Sequence, residues 1–75
     1  MDKLFSTDII INNNNVPFQV NFVNEAYVFT PNSTGIHHQF SLRREHDEWI
    51  ASSDLAGDVK NQAVEALDKY LLKQH

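Results

Sequence analysis

Hydrophobic and polar residues alternate along two stretches of this chain and recur with helical spacing along a third. Val16, Phe18, Val20 and Phe22 fall on one side of an extended backbone and Pro17, Gln19 and Asn21 on the other, which predicts a half-buried strand over about 16–23. A second strand, about 26–30, pairs with it if Asn24-Glu25 closes a two-residue turn. That register sets Phe22 opposite Tyr27 and Val20 opposite Phe29, on one face. A slip of one residue would turn one strand's apolar set to the wrong side. Pro17 donates no hydrogen bond, so the start of this strand is expected at an edge or a bulge.

The alternation resumes at Ile36, His38, Phe40, Leu42 and Arg44, a strand over about 36–44, and a partner over about 48–53 follows the polar tip Glu45-His46-Asp47-Glu48. A turn at His46-Asp47 sets Arg44 opposite Trp49 and Leu42 opposite Ala51. Between the hairpins, Pro31-Asn32-Ser33-Thr34-Gly35 is turn chemistry throughout. Upstream, the β-branched run Ile9-Ile10-Ile11 reads as a short edge strand over about 9–11, followed by a turn or loop in Asn12–Asn15. Residues 1–15 are thus either an edge strand or a flexible arm.

Val59, Ala63, Ala66, Leu67, Tyr70 and Leu71 recur at steps of three and four, which predicts a helix over about 58–73. Asp58 is the expected N-cap after Gly57, with Asp54 as its rival. Glu65 precedes Lys69 by one turn in the favourable order, and Lys69, Lys73 and His75 gather at the negative end of the helix dipole. These elements compose one domain, residues 1–75, of the α+β class. It is a two-layer sandwich in which an antiparallel meander of four or five strands is packed on one face by the C-terminal helix. Phe18, Phe22, Tyr27, Phe29, Phe40 and Trp49 form that face.

Composition narrows the functional classes. Seventy-five residues bury a small core, and the absence of cysteine removes disulfides, thiolate metal sites and a cysteine nucleophile. The first eight residues carry no basic n-region with a long apolar core, and no run approaches about 18 apolar residues, so a soluble, cytoplasmic chain away from membranes is expected. A net charge of −4 with six basic residues argues against a nucleic-acid partner. Asn32-Ser33-Thr34 matches the glycosylation pattern, which without a secretory signal reads as chance.

Candidate chemistry is sparse. His37 and His38 point to opposite faces of a strand, with His38 expected toward the helix, and His46 lies too far along the chain to share an ion with either. No metal or other cofactor is expected. Asp47 and Glu48 sit in an exposed turn rather than around a cleft, Ser52-Ser53-Asp54 has no histidine beside it, and the two glycines make no phosphate loop. An enzyme is therefore not expected.

The feature that favours a function is the sheet face away from the helix, where Val23, Val28 and Ile50 are placed with His37 and Arg43. This face, or an exposed edge strand, is expected to contact a protein partner or a second copy of the chain; the other readings are that the three aliphatics are ordinary surface scatter or that the N-terminal Leu4, Phe5 and isoleucine run covers them. The alternative is nucleic-acid binding through Arg43, Arg44 and Lys60 with the strand aromatics. In layout, the strands and helix from Phe40 to Leu72 are similar to the later part of a double-stranded-RNA-binding domain. The likeness stops at topology: Gly57-Asp58-Val59-Lys60-Asn61 holds one lysine where that family has a cluster, and the N-terminal part reads as strand where that family has a helix.

Overall fold

A computed structural model describes residues 3–32, 38–52 and 55–73. Five strands, β1 (Phe5–Ile11), β2 (Asn14–Val23), β3 (Ala26–Pro31), β4 (Phe40–Glu45) and β5 (Glu48–Ala51), are followed by one helix, α1 (Gly57–Lys73). The strands form a single antiparallel sheet in the order β1-β2-β3-β4-β5, so each pairs with its neighbour in sequence. The sheet curls around a core with α1 on its inner side, which is the predicted α+β sandwich with all five strands in place.

Three of the connections are tight turns of two residues, Asn12-Asn13, Asn24-Glu25 and His46-Asp47, and all six residues have positive φ, between 51° and 68°. That is the conformation whose twist matches paired strands. Asparagine and aspartate tolerate it, whereas glutamate has no side-chain device that offsets its cost. The turns set the registers read from the sequence: Phe22 faces Tyr27, Val20 faces Phe29, Arg44 faces Trp49 and Leu42 faces Ala51. With the registers fixed, Ile9, Val16, Phe18, Val20, Phe29, Phe40 and Leu42 are buried together on the inner face. Phe29 and Phe40 stack at 4.8 Å, and Phe18 meets Phe40 edge-on at 5.5 Å.

Val59, Ala63 and Leu67 bury the helix stripe against this core. The helix lies chiefly along β1 rather than across the middle of the sheet. Tyr70 stacks on Phe5 with ring centroids 4.7 Å apart, and the Gln62 carboxamide is bonded to the backbone of Ile10. Alanine at 63 lets the helix backbone come close, since its side chain is wholly buried.

Several boundaries and positions differ from expectation, each for a physical reason. The edge strand runs from Phe5, not from Ile9, because Phe5 is anchored by Tyr70. Its Phe5, Ile9 and Ile11 pack into the inner core, so this segment does not cover the outer face. Asn14 and Asn15 belong to β2, and the turn before them is only Asn12-Asn13.

Pro17 lies in an inner strand, not at an edge. Its carbonyl accepts from Asn32 N–H at 3.0 Å, and its missing donor faces the place where β3 has already ended. β4 begins at Phe40 rather than near residue 36, because Pro31, on the β3 side, has no N–H to carry the ladder further. His38 is exposed and outside the strand, not turned toward the helix, and Ile36 and His37 lie outside the described residues. β5 ends at Ala51 rather than near 53. Ser52 still donates its N–H to the Ser41 carbonyl at 3.0 Å, but its hydroxyl, not its carbonyl, accepts from Ser41 at 3.2 Å, which closes the ladder.

The helix starts one residue early. Ala56 O accepts the first helical bond from Lys60 N–H at 3.0 Å, so Asp58 sits inside the first turn, where its charge meets the positive end of the dipole, instead of capping it. Asp54, the rival cap, lies outside the described residues. Phe22 has the predicted partner but not the predicted burial: it is 49% exposed, since α1 does not reach that end of the sheet.

Two outcomes follow from this packing. Glu25→Gly relieves a left-handed glutamate and should raise stability by about 0.5–1 kcal/mol, a Tm gain of a few degrees in a thermal melt. Phe29→Ala should cost about 3–5 kcal/mol, whereas Phe22→Ala should cost less than about 2 kcal/mol, read as the difference in urea midpoint.

Candidate functional site

The outer face of the sheet is built by the residues that alternate with the core. Val23 pairs with Ala26, and Arg43 pairs with Ile50. Because Tyr27 faces Leu42, the same register brings Ala26 beside Arg43, so Val23, Ala26, Arg43 and Ile50 cross four strands in one row. The next row holds Asn21, Val28 and Ser41, continued by the Ser41–Ser52 bonds. Four of the five predicted interaction residues, Val23, Val28, Ile50 and Arg43, are thereby brought together. The fifth, His37, lies outside the described residues.

Ile50 is 40% exposed, while Val23 and Val28 are partly buried by their neighbours. A shallow hollow of about 170 Å³ opens here, with Ala26, Ser41, Arg43, Ile50 and Ser52 among its lining residues. The surface is an aliphatic strip edged by hydroxyls and amides.

Its electrostatics are local. Glu45 and Glu48 face one another directly across the β4–β5 hairpin, a like-charge pairing that destabilises unless it is answered. Arg43 answers it, its guanidinium donating to the Glu45 carboxylate at 2.8 Å. The pair is exposed and contributes little to stability, but it holds the Arg43 side chain over the strip beside Ile50.

Arg44, one residue on, points to the opposite face. Its guanidinium stands 5.5 Å from the Trp49 ring centroid, with Asp47 at 3.7 Å. Trp49 meets Tyr27 edge-on at 5.7 Å, and Tyr27 lies 4.8 Å from Phe22. These residues form an aromatic ledge on the inner face, at the end that α1 leaves open. Lys60 belongs to the first turns of α1. Arg43 and Arg44 are therefore divided between the two faces of one hairpin, so Arg43, Arg44 and Lys60, the basic residues of the nucleic-acid alternative, do not share one surface.

His38 and His46 are both exposed, the latter at positive φ in its turn. Among the described residues, no group of three His, Asp or Glu side chains stands close enough to hold a metal ion. α1 is neither long nor apolar enough to cross a membrane.

Two participants escaped the sequence reading. Ala26 follows from the register that places Val23, and could have been found by carrying the pairing one residue further. Gln62 gives only a weak signal, a polar residue on the flank of the stripe beside Ala63. Comparisons of this chain with models of protein families, with curated proteins and with solved structures find none that matches.

Proposed function

We propose that this chain is a small interaction module that docks on a protein partner through the outer face of its sheet. The observation that carries the reading is the apolar row of Val23, Ala26 and Ile50 with Val28 beside it, on the face opposite α1. Aliphatic side chains at the centre supply contact area, and Ser41 and Ser52 at the margin supply hydrogen-bonding groups, the arrangement of an apolar centre beside a polar rim. Arg43, held by Glu45, offers a donor fork at the border for a partner carboxylate. A second copy of the chain is one partner that this surface would fit.

A second reading has its own observation. The ledge of Phe22, Tyr27 and Trp49 with Arg44 has the composition of a stacking platform for bases in single-stranded nucleic acid. The net charge of −4 weighs against it.

The two readings separate in experiment. Under the first, wild-type chain either self-associates in sedimentation equilibrium or retains a defined partner on a column. Val28→Lys and Ile50→Lys each weaken that association at least about tenfold without loss of folding, since a lysine in the centre of an apolar patch leaves a charge to be desolvated. A strict monomer whose captured proteins are unaffected by either change contradicts it. Under the second, a labelled single strand shifts in a low-salt gel and Trp49→Ala abolishes the shift. No shift at about 50 µM protein removes that reading.

A further inference from the structure

The free edge of β1 is already occupied by a side chain of α1. Gln62 Oε1 accepts from Ile10 N–H at 2.8 Å, and Gln62 Nε2 donates to the Ile10 carbonyl at 2.9 Å. Both backbone groups point away from β2. The two-residue turn makes Ile11–Asn14 a bonded pair, so Ile10–Asn15 is a non-bonded one and Ile10 presents its N–H and C=O outward. By the same alternation Ser6 and Asp8 present theirs to that edge. In an antiparallel ladder, two facing residues exchange both bonds; the carboxamide of Gln62 makes the same double exchange with Ile10.

We infer that Gln62 is a built-in stop on the β1 edge, standing where the β1 strand of a second copy would otherwise pair. β1 itself identifies the occupant being kept out. It is a seven-residue strand, FSTDIII, without proline and rich in β-branched residues, and such a strand at a sheet edge is a template for its own copy. The antiparallel arrangement with greatest overlap places its centre at Asp8 and pairs Ser6 with the partner copy's equivalent of Ile10. Gln62 occupies that terminal position.

Asp8 adds a second obstacle, because the arrangement opposes two carboxylates directly. In the single chain the Asp8 carboxylate accepts instead from Asn15 Nδ2 at 3.2 Å. A groove of about 340 Å³ opens between β1 and α1 next to Asp8, with Thr7, Ala66 and Lys69 among its lining residues. The opposite edge, β5, is managed differently: it is four residues long and begins with Glu48.

The test uses the full chain carrying Ile50→Lys, so that association through the outer face does not contribute. With Gln62 intact, the Ile10 amide should exchange at least about tenfold more slowly than the Asp8 amide, although both lie on the same edge. Gln62→Met, which keeps length and helix preference, combined with Asp8→Thr should produce dimers at about 100 µM in sedimentation equilibrium, with protection gained at Asp8 as they form. Adding Ile10→Pro, which removes an outward donor but no bond to β2, should abolish those dimers. Equal exchange at Ile10 and Asp8 would overturn the inference, and this comparison decides it alone if the double variant does not fold. So would a folded double variant that stays monomeric, or one whose association survives Ile10→Pro.

Discussion

The fold depends on a backbone constraint, the left-handed conformation of six residues in three two-residue turns. A turn of this length leaves no slack, so it dictates which residue of one strand faces which residue of the next. Side chains alternate with a period of two, so one unit of slip turns one strand over relative to its partner: were β2 to turn, Phe18 and Val20 would be exposed and Gln19 and Asn21 would face the core. Burial and turn geometry therefore agree at every hairpin. The cost is local strain where the turn residue is neither asparagine nor aspartate, at Glu25 and at His46.

The helix completes the core but covers it unevenly. It lies along β1, where Phe5–Tyr70 stacking and the Gln62–Ile10 bonds hold it, and the far end of the inner face is left to Phe22, Tyr27, Trp49 and Arg44. A chain of 75 residues has one helix with which to close a five-stranded curled sheet. Placing it at one edge protects the longer exposed strand and leaves a ledge at the other end. The aliphatic strip on the outer face, which the first proposal assigns to a partner, comes from the same division of side chains between faces.

Much of the fold was legible because two periods are legible. The hairpin registers at Phe22–Tyr27 and Leu42–Ala51 followed from alternation plus turn length, and the helix stripe followed from the spacing of Val59, Ala63 and Leu67. The placement of the helix was not legible, since an apolar stripe says what it must cover but not which strands lie beneath it. For that reason the alternation places Phe22 with the core although it is exposed, whereas His38 leaves the helix side because β4 begins only at Phe40.

Strand ends depart from the alternation where single atoms decide them: the missing N–H of Pro31 and the hydroxyl of Ser52 stop ladders that side-chain alternation would continue. Of the candidate site, the row of Val23, Val28, Arg43 and Ile50 was readable from the same alternation. The same alternation implies the division of Arg43 from Arg44.

The most direct measurement of the register constraint is the pattern of short Hα–Hα contacts across the hairpins in a proton NMR spectrum. Two-residue turns make Ile10–Asn15, Phe22–Tyr27 and Arg44–Trp49 the non-bonded pairs next to each turn, in which facing Hα atoms come closest. Strong contacts at those three pairs are predicted. Contacts displaced by one residue at any of them, such as Phe22 with Val28, would contradict the account, because one strand of that hairpin would then turn its apolar set to the opposite face.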